Sequence, residues 1–307
     1  MISLPGDLAR TLAAVADAGT LDGAARDLHI TPSAVSQRLK ALETLLGQVM
    51  LVRSKPVRLT STGASVVRFA RQAEMLERET LRTLGLLADG ASRARATVAV
   101  EVDLSSVWLS AVARAAAVTP VDLNIIDEPA KGQVLASDDI TVRITTSSEE
   151  MSGSHTVDLG LGMFDAVATP DFIDHWISRG VPQADFAYAP TVVVRGREAR
   201  HHAFVEEASL APSRALSTAA STSAAKALLL EGAAWGLLPR YEARREIQMG
   251  RLHRVSTATT TERYYLRYAA LESQALHALA EHVQVAARTA LEAGPTVQQG
   301  GFTHASA

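Results

Sequence analysis

Ser33, Ser36, Gln37 and Lys40 recur at three- and four-residue steps in PSAVSQRLKALETLL, so one face of a helix carries them together. Short hydroxyls and an amide near a helix N-terminus suit base edges and phosphate oxygens, and a Lys adds a phosphate contact. Thr31 can cap that helix, Pro32 suits its first turn, and Arg38 lies within it. A second chemistry is spelled farther along the chain. Asp127 and Glu128 are adjacent carboxylates at the end of an apolar stretch, a pair able to take an ammonium or guanidinium group. Asp103, Ser105 and Ser106, followed by Trp108, open a helical pattern whose hydroxyls and free N–H groups suit a carboxylate. Ser221, Thr222 and Ser223 open another. Plain helix capping and a solvated acidic loop account for these residues equally well.

The first face needs a scaffold, and the flanking pattern supplies one. Ala24, Ala25 and Leu28 share a face of a preceding short helix, His29-Ile30 makes a turn, and Val35, Leu39 and Leu42 point inward. Two helices meeting at a tight turn form a helix-turn-helix. Residues 7–18 add a helix with Asp7 as its cap, Gly19 as its stop and Leu8, Leu12 and Val15 as its buried stripe. Gly47 ends the recognition helix. Val49–Val52 and Val57–Leu59 read as the strands of a wing, with Arg53, Lys55 and Arg58 placed to meet phosphates. A long helix without proline follows over Thr62–Leu87. Val66, Ala70, Ala73, Leu76, Thr80, Leu84 and Leu87 form its narrow apolar seam, which reads as a helix-pairing contact.

The segment LDGAARDLHITPSAVSQRLKALETLLGQVMLVR resembles the winged helix-turn-helix of LysR-type transcriptional regulators. SAVSQRLKALE has the form of the ArgP/LysG branch, whose members respond to lysine and arginine. The likeness is strong over the first 90 or so residues. It continues to about residue 290 in islands such as Asp127-Glu128, Ala168-Thr169-Pro170 and Trp235–Pro239. The resemblance implies a winged helix-turn-helix over residues 1–60, a linker and dimerisation helix over 61–90, and an α/β effector-binding domain of periplasmic-binding-protein-like type over 95–292. That domain divides into subdomain I (about 95–167 and 265–292) and subdomain II (about 168–264). The chain crosses between them near Val167–Thr169 and near Tyr264–Arg267, and Thr169 joins the effector residues. The partners implied are promoter DNA, a basic amino acid (L-lysine or L-arginine), further copies in a homodimer or homotetramer, and RNA polymerase. Where relatives of the branch carry a Glu, this chain has Ser223.

Strands alternate with helices from Thr97 onward, which implies parallel sheets covered on both faces. Val157–Leu161 and Met163–Ala168 read as two strands, Tyr264–Ala269 as another, and His201-His202 as a solvated loop. Residues 293–307 read as a disordered tail.

Composition sets the outer limits. Of 307 residues, 47% are hydrophobic and 21% charged, as in ordinary globular chains, and cysteine is absent. Disulfides, thiolate metal sites and cysteine nucleophiles are thereby excluded. No Gly-x-Ser-x-Gly, Walker-type glycine loop or His-x-x-x-His occurs, so neither catalysis, a metal nor a cofactor is expected. Neither a signal peptide nor a membrane-spanning apolar run is read, so the expected place is the bacterial cytoplasm, on the nucleoid. Residues 1–92 hold 11 Lys and Arg against 9 Asp and Glu, whereas the remainder holds 19 against 24. A DNA-reading part joined to a more acidic sensing part fits this division. A purely architectural DNA-binding protein, and a regulator with a non-cationic effector, are the alternatives.

Overall fold

The computed structural model describes residues 3–52, 54, 56–86, 94–101, 105–118, 121–128, 140–149, 153–177 and 186–291. Of residues 94, 95, 101, 105–107, 127, 128 and 140 it describes the backbone alone. The expected tail and Leu87 lie outside these ranges.

The N-terminal region folds as α1 (Gly6–Ala18), α2 (Leu21–Asp27) and α3 (Pro32–Leu46), then β1 (Leu51–Val52) paired antiparallel with β2 (Arg58–Leu59). Pro5, not Asp7, caps α1, and Asp7 falls in its first turn. Gly19 leaves α1 in the left-handed region at φ 65°, and its N–H donates to the Val15 carbonyl. The next turn is tight: a Cβ on Gly23 would lie 2.7 Å from the Ala18 Cβ, so only glycine lets α2 start this close to α1. His29 takes φ 53° between α2 and α3. Leu12, Val15, Ala24, Val35, Leu42 and Met50 have no exposed surface and form the core of this domain.

Helix α4 (Ser61–Thr83) starts from Thr60, whose Oγ1 accepts from Gly63 N at 3.0 Å. The single seam read along it divides in two. Val66 and Ala70 are buried against the core of the DNA-binding domain, because α4 serves as that domain's fourth helix. Arg10–Glu77 and Arg71–Asp17 ion pairs fasten it to α1. Ala73, Thr80 and Leu84 face solvent and Leu76 is half-buried. With Phe69, which is 45% exposed, they leave a stripe at four- and three-residue steps uncovered by the chain itself.

The rest of the chain runs β3 (Ala94–Glu101), α5 (Ser105–Val118), β4 (Val121–Glu128), β5 (Ile140–Thr145), β6 (Ser154–Ala168), α6 (Pro170–Trp176), β7 (Thr191–Val194), α7 (Glu198–Glu207), β8 (Leu216–Ala219), α8 (Thr222–Leu230), β9 (Trp235–Pro239), α9 (Arg240–Gln248), β10 (His253–Ala269) and α10 (Gln274–Ala290). The strands form one eight-stranded sheet in the order β4-β3-β5-β10-β6-β9-β7-β8. It is mixed, where parallel sheets were expected. β4, β3 and β5 are parallel, as are β8, β7 and β9, but β5–β10, β10–β6 and β6–β9 are antiparallel.

The two strands read at 157–161 and 163–168 are one, and β10 begins at His253 rather than Tyr264. β6 and β10 pair along nearly their whole length and carry both halves of the sheet. Gly162 allows their close packing, since a Cβ there would lie 2.3 Å from the ring of the buried Tyr264.

Candidate functional site

On α3, Val35, Leu39 and Leu42 face the core, so Pro32, Ser33, Ser36, Gln37 and Lys40 are left exposed together. Thr31 caps the helix, accepting from Ala34 N at 3.2 Å, and its hydroxyl meets Ser33 Oγ at 2.9 Å. Arg38 is half-buried and turns the other way, with Nη1 donating to Thr11 Oγ1 on α1 at 3.4 Å. That contact ties the recognition helix to its support. Glu43 does the same at the far end, where Oε1 accepts from Met50 N at 2.9 Å. In the wing Arg58 is exposed opposite Val52, while Arg53 and Lys55 lie outside the described residues. The exposed face has hydroxyls, an amide and a cation near a helix N-terminus, a set of donors and acceptors matched to the major groove.

The strand directions define a second site. Thr145, the end of β5, pairs with Tyr265, and Pro239, the end of β9, pairs with Phe164, which faces Thr260. β5 and its parallel neighbours β3 and β4 point along β10 toward Thr260, while β9, β7 and β8 point toward Tyr265. The C-terminal ends of the two strand sets therefore face each other. Five residue steps along β10, from Thr260 to Tyr265, separate them, roughly 16 Å at ~3.3 Å per residue. A ligand crevice in an α/β sheet forms outside strand C-termini, at such a reversal.

Several predicted residues come to this place. Asp127 and Glu128 end β4, in register with Val100 and Glu101 of β3, and Ser105 and Ser106 open α5 beside them. Their side chains, and all of Asp103, lie outside the described residues. Ser221 follows β8 and caps α8, accepting from Ala224 N at 3.2 Å; Thr222 is buried and Ser223 exposed. Two others do not come here. Trp108 has no exposed surface and packs in the main core. Thr169 follows β6 at the opposite end of subdomain II, beyond the start of β9, where it caps α6 by accepting from Phe172 N at 3.3 Å. β6 runs antiparallel to β9, so the end of β6 is the end remote from the crevice.

The crevice also has residues that the sequence pattern did not disclose. Helix α7 follows β7 and starts at the crevice side. Arg200 Nη1 donates to Glu262 Oε2 of β10 at 2.8 Å, and its guanidinium lies 3.8 Å from the centre of the Phe164 ring. Arg197 stands 3.5 Å from the same carboxylate. On the other face of β6, Asp165 is 1% exposed and accepts from Arg240 Nη2 and Arg254 Nη2, each at 3.0 Å. Burial alone pushes its carboxyl up, but hydrogen bonds and charge from the two guanidinium groups outweigh this and hold it below the usual carboxylate range. His201, expected in a solvated loop, lies on α7 with its ring 5.2 Å from that of Trp235. Burial, with a smaller contribution from His202, lowers its pKa to about 4, so it packs as a neutral ring at neutral pH.

An exposed recognition helix with a wing, a connecting helix, and two opposed strand sets bounding a crevice define a DNA-binding regulator with a sensing domain. Comparison with known proteins identifies which kind. The family described as "Bacterial regulatory helix-turn-helix protein, lysR family" matches residues 7–64. The HTH-type transcriptional regulator LysG of Mycobacterium tuberculosis is 32% identical over 285 residues, covering 92% of this chain and 94% of that protein. The crystal structure of ArgP from Mycobacterium tuberculosis superposes with a TM-score of 0.82 at 30% identity, covering 95% of this chain and all of that one. LysG from Corynebacterium glutamicum, solved full-length with bound effector Arg, superposes with a TM-score of 0.73 at 26% identity, covering 94% of this chain and all of that one. The chain belongs to the LysR family of HTH-type transcriptional regulators. It is a DNA-binding regulator and not an enzyme. No helix among the described residues is long and apolar enough to cross a membrane.

Proposed function

We propose that this regulator senses a basic amino acid, L-arginine or L-lysine, in the crevice between its two strand sets, and alters its hold on promoter DNA in response. The observation that carries this reading is the likeness, over 94% of the chain, to a LysG whose structure holds Arg as effector. In this reading Asp127 and Glu128 take the guanidinium or ammonium group. Ser105 and Ser106 hold the α-carboxylate at the start of α5, with Asp103 on the turn before them as a further effector contact, and Ser221 to Ser223 close the far wall. In this reading subdomain I comprises about 95–161 and 265–292 and subdomain II about 162–264; the first crossing lies near Gly160–Gly162 rather than near Val167–Thr169, because Phe164–Val167 of β6 already pair with β9.

Residues 1–60 read double-stranded DNA, with Thr31, Pro32, Ser33, Ser36, Gln37 and Lys40 at base edges and phosphates and Arg53, Lys55 and Arg58 on the backbone. Residues 61–90 pair two copies through the stripe containing Phe69, Leu76 and Leu84, in a homodimer or homotetramer. Such pairing multiplies the weak affinity of one small basic module by effective concentration. The regulator works in the bacterial cytoplasm on nucleoid DNA, with RNA polymerase as downstream partner. A footprint on the intergenic region beside its own gene, with and without lysine and arginine, tests the reading. A footprint whose extent or affinity changes with either amino acid supports it; one indifferent to both at millimolar concentration refutes it.

A further inference from the structure

The end of the linker helix and the start of the last helix are joined by one carboxylate. Glu79 lies in the last turns of α4, and Ser273 caps α10. Glu79 Oε1 accepts from the Ser273 hydroxyl at 2.7 Å and from Ala275 N at 3.2 Å, while Oε2 accepts from Gln274 N at 3.3 Å. Ser273 Oγ meanwhile accepts from Leu276 N at 3.3 Å. The first two N–H groups of α10 are thus satisfied by a side chain from a helix almost 200 residues earlier in the chain, with the helix dipole favouring its negative charge. One turn back on α4, Met75 is 3% exposed and belongs to the core of the regulatory domain, with Sδ 3.4 Å from Ser273 Oγ.

The other end of this contact leads to the crevice. β10, whose middle separates the two strand sets, reaches α10 through only four residues. These are held by Ala270 N to Gly153 O at 2.9 Å, Leu271 N to Ala269 O at 2.9 Å and Ser273 N to Leu271 O at 2.8 Å. These contacts form an unbroken path from β10 through the α10 cap and Glu79 to the helix that also forms part of the DNA-binding core.

We propose that Glu79 is the positioning residue that couples the regulatory domain to the DNA-binding domain, by gripping the N-terminus of α10. It touches neither DNA nor effector; it makes the linker helix follow the regulatory domain. The proposal rests on effector control of DNA binding, and its test separates the two. DNA affinity of the parent and of Glu79→Ala is measured with and without L-arginine and L-lysine on a fragment obtained by binding-site selection. Amino-acid affinity is measured without DNA.

Coupled sites commonly change each other's affinity about 5- to 150-fold. The fold-change in DNA affinity that the amino acid produces, whichever its direction, is expected to be less than a third as large in Glu79→Ala as in the parent, with amino-acid affinity in the absence of DNA kept within about twofold. A fold-change equal to the parent's overturns the proposal. If the parent itself responds to neither amino acid, the effector reading fails, and the coupling is read by amide exchange instead. Binding of the DNA fragment should then raise protection of residues 274–276 in the parent and not in Glu79→Ala; equal changes, or no change in the parent, overturn it. Should Glu79→Ala not fold, Glu79→Gln, which keeps size and one acceptor but loses the charge, carries the same comparison with a smaller expected loss.

Discussion

Replacing Asp165 by Ala removes a buried carboxylate that bridges Arg240 and Arg254. Asp165 is 1% exposed, and its partners reach it from two other elements, Arg240 at the start of α9 and Arg254 on β10. Breaking a buried pair by removing one partner costs about 3–5 kcal/mol when the other charge is left dry. Here the arginines are partly wet, with side chains 27% and 50% exposed, so each regains water when the carboxylate leaves. The expected loss is therefore smaller, about 2–3 kcal/mol. For a domain of this size that lowers the melting temperature of the regulatory domain by roughly 5–10 °C. Thermal unfolding followed by circular dichroism measures it, with Asp165→Asn as the isosteric control.

The pH dependence follows from the same pair. A carboxyl held below its ordinary value of 3.8 stabilises the fold fully above that value and loses the contribution as pH falls through the depressed folded value. The stability gap between parent and Asp165→Asn should be flat near neutrality and close below about pH 4. A shift under 1 °C for Asp165→Ala at pH 7, or a gap that persists undiminished at pH 2, would refute the reasoning.

Three further outcomes follow from the sites. Gln37→Ala should relax sequence preference at a cost of ~1–3 kcal/mol on a specific site, read by binding-site selection; unchanged preference would mean that α3 does not present this face to bases. Phe69→Glu places a charge in the uncovered stripe of α4 and should shift sedimentation toward monomer and sharply weaken operator binding; a variant that sediments like the parent removes the stripe from the interface. Glu128→Gln should weaken arginine or lysine binding roughly tenfold to a hundredfold, as loss of a charged hydrogen bond worth ~1.5–3 kcal/mol implies, and leave effector-free DNA binding as it was.

The DNA-reading part was legible because its signals are local. Thr31, Pro32 and Gly47 mark the ends of α3, and Val35, Leu39 and Leu42 mark its buried face, all within sixteen residues or so. The β-branched run TVVV at Thr191–Val194 carries the same kind of local signal for β7, which is buried along its length. Features that depend on distant partners were not legible. Helix α9, RYEARREIQ, reads as a charged surface segment, yet Glu246 is 4% exposed and meets Lys226 at 3.1 Å and Arg251. Burial is encoded there by ion pairs, which leave little apolar periodicity.

The first half of β10 is rich in Thr and half-buried, so no alternation announces it. The linker seam misled because its apolar residues serve two partners, the DNA-binding core and the uncovered stripe. The short motif around Thr169 does not say which end of its strand faces the crevice; strand direction decides that, and it follows only from the pairing of β6 with β9. Arg197 and Arg200 stand more than sixty residues from Glu262, so no local pattern links them.

The central claim is that the crevice takes a cationic amino acid. Calorimetric titration of the full chain with L-arginine, L-lysine and norleucine, a neutral amino acid of similar length, tests it most directly. The account predicts one saturable site that prefers at least one of the cations to norleucine by tenfold or more. Equal affinity for norleucine, or no binding of either cation at millimolar concentration, would contradict it and leave Asp127 and Glu128 as solvated surface.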